Sequence, residues 1–148
     1  MNEAWILSEA TAQTVVTAGS GPAMTHREFY ADGALKVVWS GRQDSSGRFV
    51  LSGTETWHYP NGIKAYEVTW AEGVKTGAEI FWDTAGRKVW ELQHQPEGKS
   101  VWTHYWPNGQ KRLQSHWQAG RCVGEATMWD QEGKVTARHR FKDGERVD

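Results

Sequence analysis

His58-Tyr59-Pro60-Asn61-Gly62-Ile63-Lys64 and Tyr105-Trp106-Pro107-Asn108-Gly109-Gln110-Lys111 are two copies of one pattern. Each has two ring-bearing residues, then Pro-Asn-Gly, then a lysine, and runs of alternating apolar and polar residues flank both copies. Asn-Gly between two such runs is a strong hairpin signal, because both central residues of a type I′ turn need a positive φ. The sequence therefore predicts a type I′ turn at Asn61-Gly62 and at Asn108-Gly109, each joining two antiparallel strands.

The turn glycine recurs along most of the chain and defines a repeat of about 24 residues. A second glycine follows 11 or 12 residues after the turn glycine in four units and predicts a looser turn. The pattern predicts an all-β fold, in which tandem β-hairpin repeats of about 24 residues form an extended or curled antiparallel meander sheet. The turn glycines are Gly33, Gly62, Gly86, Gly109 and Gly133, and the second glycines are Gly73, Gly98, Gly120 and Gly144.

The first 23 residues do not follow the repeat. Residues 24–148 hold five repeats, and residues 1–23 are interpreted as an N-terminal capping segment, because the ends of repeat arrays are usually atypical. The 148 residues suit a single domain overall.

Side chains alternate between the two faces of a strand, so the hairpin turns fix which residues lie opposite each other. The face predicted to form the core is mostly apolar in all units. Its predicted cross-strand pairs are Trp57 with Tyr66, Phe81 with Trp90, His104 with Leu113, and Met128 with Ala137.

The opposite face carries one ring in the first strand of every unit, which we call the aromatic stripe. Its members are Phe29, His58, Trp82, Tyr105 and Trp129, with predicted cross-strand partners Lys36, Ala65, Val89, Arg112 and Thr136. Two interpretations remain open. The rings either pack against neighbouring side chains, or form a docking surface for a partner. In the second interpretation Arg112, Glu67 and Glu91, on the same face, are the charged residues that contact the partner.

The composition excludes several function classes. The 17 basic and 18 acidic residues give a net charge of −1, whereas a nucleic-acid binder usually has a basic excess. We expect no cofactor and no metal, since the six histidines lack ligand spacing. No catalytic motif occurs, and Asp83 and Asp130 are interpreted as turn residues rather than a glycosidase pair. The sequence therefore predicts a protein that is not an enzyme and has no membrane-spanning segment.

The units resemble the MORN-variant repeat of bacterial proteins often labelled YwqK-family antitoxins. The resemblance rests on the two Pro-Asn-Gly copies, on Glu72-Gly73-Val74-Lys75-Thr76-Gly77, and on Lys142-Asp143-Gly144. It covers residues 24–148, although the units at Gly33, Gly86 and Gly133 lack Pro-Asn.

The resemblance implies a β-repeat scaffold that binds proteins, in particular an immunity protein or antitoxin that binds and blocks a toxin. The scaffold is tryptophan-rich, with ten tryptophans in the chain. The alternative is a cell-envelope or carbohydrate-binding module, since a row of exposed rings can stack on sugars. Exposed end strands would also allow a homodimer through the sheet edges. The residues as written favour the cytoplasm, and a removed signal peptide would instead favour the periplasm or cell envelope.

Overall fold

In the computed structural model, residues 21–148 are described, so the capping segment predicted for residues 1–23 lies almost wholly outside the described residues. The described residues are organised as antiparallel β-strands, with one short 3-10 turn at Pro96–Gly98. The predicted all-β fold of β-hairpin repeats is confirmed. The strands are β1 Met24–Phe29, β2 Leu35–Gln43, β3 Phe49–Leu51, β4 Gly53–His58, β5 Lys64–Ala71, β6 Val74–Trp82, β7 Lys88–His94, β8 Lys99–Tyr105, β9 Lys111–Gln118, β10 Arg121–Trp129, β11 Val135–Lys142 and β12 Glu145–Arg146.

The chain divides into two compact units, the first ending at Lys75 and the second spanning Thr76–Asp148. In the first unit β2 pairs with β1 and with β4, β4 pairs with β5, and the short β3 adds to the far end of β2. In the second unit the strands from β6 to β12 pair in chain order. No helix in residues 21–148 is long and apolar enough to cross a bilayer.

The turn types differ from the prediction at most of the repeat glycines. At Pro60-Asn61 the amide of Gly62 donates to the carbonyl of Tyr59 at 2.9 Å, and only Gly62 (φ 82°) has a positive φ. This is a type I turn followed by a left-handed glycine, because proline at the second position suits type I and Asn61 is not left-handed. The predicted type I′ turn at Asn61-Gly62 is therefore wrong, and Asn108-Gly109 follows the same pattern.

Type I′ geometry occurs instead at three of the four second glycines, Gly73, Gly120 and Gly144, which the sequence predicted to be looser turns. The fourth, Gly98, ends the 3-10 turn and is the looser turn that the sequence predicted. At Ala119-Gly120 both residues have positive φ, 47° and 77°, and Gln118 pairs directly with Arg121. Two-residue loops of this kind match the twist of the flanking strands, which explains why they are the tight ends of the hairpins. Glu72-Gly73 (49° and 77°) and Asp143-Gly144 (53° and 91°) likewise have a positive φ at both residues.

A β-bulge follows each of the five repeat turns. The predicted core-face pairs Trp57–Tyr66, Phe81–Trp90, His104–Leu113 and Met128–Ala137 are all observed. One step nearer the turn the register shifts, because the second strand contains one extra residue. The predicted stripe partners are corrected accordingly: Lys36, Ala65, Val89, Arg112 and Thr136 are these extra residues, and the stripe residues pair with Leu35, Lys64, Lys88, Lys111 and Val135.

The core face is buried in the first unit, where Tyr66 and Val68 are completely inaccessible and Trp57 and Trp70 nearly so. The ammonium group of Lys75 lies 5.9 Å from the Tyr66 ring centroid and 5.5 Å from the Trp70 ring centroid, so it forms cation–π contacts with both rings.

In the second unit Phe81 and Trp90 are buried and stack at 5.8 Å, and Trp102 packs edge-on against Trp90 at 6.1 Å. Met128 is 42% exposed, so its assignment to a buried core is wrong. It lies on the predicted face, where Leu113 in β9 and Ala137 in β11 are also only half-buried.

Candidate partner-binding surface

Three stripe residues of the second unit lie on adjacent hairpins with lysines between them. Trp82 pairs with Lys88, and the Lys88 ammonium lies 5.4 Å from the Tyr105 ring centroid. Tyr105 pairs with Lys111, whose ammonium lies 5.8 Å from the Trp129 ring centroid. We call these five residues the lysine–ring row. Since strands are about 4.8 Å apart, the row crosses five strands and extends over roughly 19 Å.

The rings of the row are neither buried nor free. Trp82, Tyr105 and Trp129 are each half-buried, which is less exposed than Phe29, the stripe residue of β1, at 58%. Tyr105 and Trp129 pack against lysine side chains, as the first interpretation expected, and all three rings still present accessible surface. The docking-surface interpretation stays a prediction. A lysine above a ring face is held there by the electron-rich face of the ring, which keeps the ring and the cation ordered together.

The predicted site residue Glu91 is part of the same face. Its carboxylate accepts a hydrogen bond from Lys88 at 2.6 Å and interacts with the Tyr105 hydroxyl. Burial raises the pKa of Tyr105, the Glu91 carboxylate raises it further, and the Lys88 ammonium opposes both. Tyr105 is therefore a neutral hydrogen-bond donor, and Glu91 holds both Lys88 and Tyr105 in place.

Arg112 is not where the sequence predicted. As the extra residue of a bulge it does not pair with Tyr105; its guanidinium carbon lies 4.7 Å from the Trp106 ring centroid. Trp106 in turn donates its indole N–H to the Trp129 carbonyl at 3.0 Å. Asn108 donates to the Gln131 carbonyl at 2.8 Å, so two neighbouring turns are joined side by side. These bonds fix the two turns relative to each other, so the side of the sheet that carries the turns, which we call the turn edge, is preorganised.

The remaining predicted residues belong to the first unit and are described separately. Burial and the nearby Lys64 lower the pKa of His58, so its half-buried ring is neutral at pH 7. Glu67 accepts a hydrogen bond from Lys64 at 2.5 Å and another from Thr56 at 3.4 Å. Glu67 is thus already neutralised by its own repeat and offers no free charge.

The turn aspartates act as the sequence predicted. Asp83 and Asp130 each accept hydrogen bonds from two amides of their own turn, at 2.8 to 3.1 Å. In turns whose first residue is aromatic instead of aspartate, the side chain that accepts a hydrogen bond from a turn amide lies two residues later. Asn61 and Asn108 are these acceptors. No group of histidine, cysteine or acidic side chains within residues 21–148 has the geometry of a metal site. The one cysteine, Cys122, is half-buried, and burial raises the pKa of its thiol.

Sequence reasoning missed two kinds of residue. Lys88 and Lys111 were not singled out, because an unbulged register places them on the core face. The recurrence of a lysine one residue before three of the five predicted stripe partners was the available signal. Glu55 was also missed: it is 3% exposed and its carboxylate accepts from the indoles of Trp57 and Trp70 at 2.6 and 2.8 Å. Its position two residues before Trp57 places it on the core face.

A family model described as a MORN repeat variant matches residues 51–72, which contain β4, the Pro-Asn-Gly turn and β5. The match covers one of the five hairpins and supports the MORN-repeat part of the resemblance. No curated protein matches the chain significantly. MORN repeats are generally non-enzymatic modules that bind proteins or lipids, and a non-catalytic binding role fits the geometry described above.

Proposed function

We propose that this chain is a protein-binding repeat module that acts as an immunity protein or antitoxin, blocking a toxin by covering it with the lysine–ring row. The observation that carries the proposal is the row itself. Half-exposed tryptophan and tyrosine rings, fixed at strand pairs, are residue types that commonly anchor interfaces, and the lysines between them add positive charge. Partner binding would bury the remaining ring surface, and the positive charge of Lys111 would speed association with an acidic partner.

A protein partner explains the ring environment better than a sugar does. Carbohydrate binding uses open ring faces, whereas lysines stand over Tyr105 and Trp129 at 5.4 and 5.8 Å. A stacking sugar would have to displace both cations from favourable positions. A protein surface can contact the exposed ring edges while its acidic groups meet the lysines.

The test combines toxicity and complex formation. Candidate toxins encoded beside the gene for this chain are expressed in a host, with and without the chain, and growth is measured. The wild type is expected to restore growth and to form a stoichiometric complex in size-exclusion chromatography. Trp82→Ala combined with Trp129→Ala should abolish both effects. Phe29→Ala removes an equally apolar, more exposed ring of the first unit and should leave both unchanged.

Circular dichroism checks that the double variant folds. If it does not, Lys111→Glu takes its place, because Lys111 is exposed and reversing its charge removes the contact with the Trp129 ring but no buried side chain. Rescue that survives Lys111→Glu and a folded double variant would contradict the proposal. Absence of any protein complex, together with binding to a glycan array, would replace it with a carbohydrate-binding function.

A further inference from the structure

One cation of the lysine–ring row lacks the carboxylate that its counterparts have. In two repeats the lysine that opens the second strand pairs with a glutamate three residues later. Lys64 lies 2.5 Å from Glu67, and Lys88 lies 2.6 Å from Glu91. In the next repeat the lysine is Lys111, and the corresponding position is Gln114.

Gln114 cannot neutralise Lys111. Its amide instead donates to the hydroxyl of Thr103 at 3.0 Å. Within residues 21–148, no carboxylate lies within ion-pair distance of the Lys111 ammonium, whose observed neighbour is the Trp129 ring. The repeat thus keeps the cation, the ring and the strand geometry, and omits only the acid.

A second unneutralised cation lies next to Lys111. Arg112 is exposed, stacks on Trp106, and forms no ion pair with a described residue. Two shallow hollows lie at this edge and share Trp129 as a wall. One, of about 400 Å³, includes Lys111 and Tyr105. The other, of about 460 Å³, includes Arg112 and the 42%-exposed Met128.

We propose that this edge binds an acidic segment of a partner protein, with one carboxylate paired to Lys111 as Glu67 and Glu91 are paired to the lysines of the earlier repeats. A second acidic group meets Arg112, and an apolar side chain lies against Met128. The proposal rests on the protein-binding function above and names the chemistry of the partner. An acidic segment fits because both cations are unneutralised and an apolar surface lies between aromatic walls.

The most direct test introduces the missing carboxylate into the chain by a substitution. Gln114→Glu should pair with Lys111 and so compete with the partner's carboxylate. The first unit shows that this position tolerates a glutamate, because Glu67 coexists there with Thr56, whose hydroxyl donates to it at 3.4 Å. Urea unfolding should show that the variant is as stable as the wild type or slightly more stable.

Binding is measured by fluorescence anisotropy with a short labelled peptide that carries several glutamates and one leucine. The same peptide with glutamines is the reference probe. Lys111→Gln and Gln114→Glu should each weaken binding of the acidic peptide about tenfold, the loss expected for one charge-assisted hydrogen bond. Lys64→Gln is the matched control: it changes net charge by the same amount, at a lysine that already has its own glutamate.

Equal weakening by Lys64→Gln and Gln114→Glu would overturn the inference, since it would show an effect of net charge alone. Binding to phosphatidylserine vesicles without binding to the acidic peptide would overturn it in favour of a lipid headgroup. If a toxin complex is lost in the Trp82/Trp129 variant but survives Gln114→Glu, the inference fails and the proposed function stands. If Gln114→Glu weakens peptide binding while no toxin is found, the inference stands and the immunity function fails.

Discussion

Replacing Glu55 by glutamine tests the most unusual polar contact in the first unit. The Glu55 side chain is almost fully buried, and each carboxylate oxygen accepts from one indole N–H, of Trp57 at 2.6 Å and of Trp70 at 2.8 Å. Glutamine has the same shape but only one acceptor atom. Its amide N–H₂ would face an indole N–H, which places two donors against each other.

The expected cost follows from those two bonds. A hydrogen bond to a charged group contributes about 1.5–3 kcal/mol, and a buried donor left without an acceptor costs about 1–3 kcal/mol. Removing a buried charge recovers part of its desolvation penalty. We therefore expect Glu55→Gln to lower the free energy of unfolding by about 2–4 kcal/mol.

Urea unfolding followed by circular dichroism measures this change. The control is Glu67→Gln, which weakens a partly exposed ion pair with Lys64 and should cost about 0.5 kcal/mol. A double-mutant cycle of Glu55→Gln with Trp70→Phe should give a coupling free energy of about 1 kcal/mol or more. A loss at Glu55 no larger than that at Glu67, or a coupling near zero, would refute the argument that the indoles hold this carboxylate.

Three further predictions follow from the turns and the turn edge. Gly62→Ala should lower the free energy of unfolding by about 1–2 kcal/mol, because alanine is disfavoured at φ 82° although its methyl group has open space. Gly62→Asn should lower it less, and thermal unfolding of both variants measures the difference. Burial opposes ionisation of Asp83, but hydrogen bonds from its own turn, chiefly from Arg87, outweigh it and lower its pKa below 3.8. The ionised Asp83 carboxylate therefore stabilises the fold above pH 3.8, and this stabilisation is lost as the pH falls through the lower pKa of the folded state. Asp83→Asn should reduce the decrease in the urea unfolding midpoint that acidification causes. Burial, and then the charge of Arg112, lower the pKa of His104; Arg112→Gln should raise it part of the way towards 6.5 in an NMR titration, and an unchanged pKa would argue against the observed position of Arg112.

The sequence predicted the hairpins and their core faces because those depend on local periodicity. Alternation of apolar and polar residues placed Trp57 opposite Tyr66 and Phe81 opposite Trp90, as observed. The regular spacing of turn glycines located the ends of the strands. The same alternation also identified the aromatic stripe, three of whose rings lie together in the second unit.

The candidate site was predicted only in outline, because a bulge cannot be read from alternation. One extra residue after each repeat turn moves Lys88 and Lys111 opposite Trp82 and Tyr105 and moves Arg112 onto Trp106. Pro-Asn-Gly was recognised as a turn, but its type depended on which residue becomes left-handed, and Gly62 does so while Asn61 does not.

By itself, therefore, the sequence determined the strands, their pairing order along each hairpin and the apolar face, since these follow from the two-residue period of a strand and from glycine positions. Tertiary structure alone decided the turn types, the bulges and the pairing of each charge. These depend on contacts between separate repeats, such as the hydrogen bond from the Trp106 indole to the Trp129 carbonyl. The residue three positions after Lys88 forms an ion pair with it, whereas the residue three positions after Lys111 does not neutralise it. Only the arrangement of neighbouring strands shows that no other acid among the described residues pairs with Lys111.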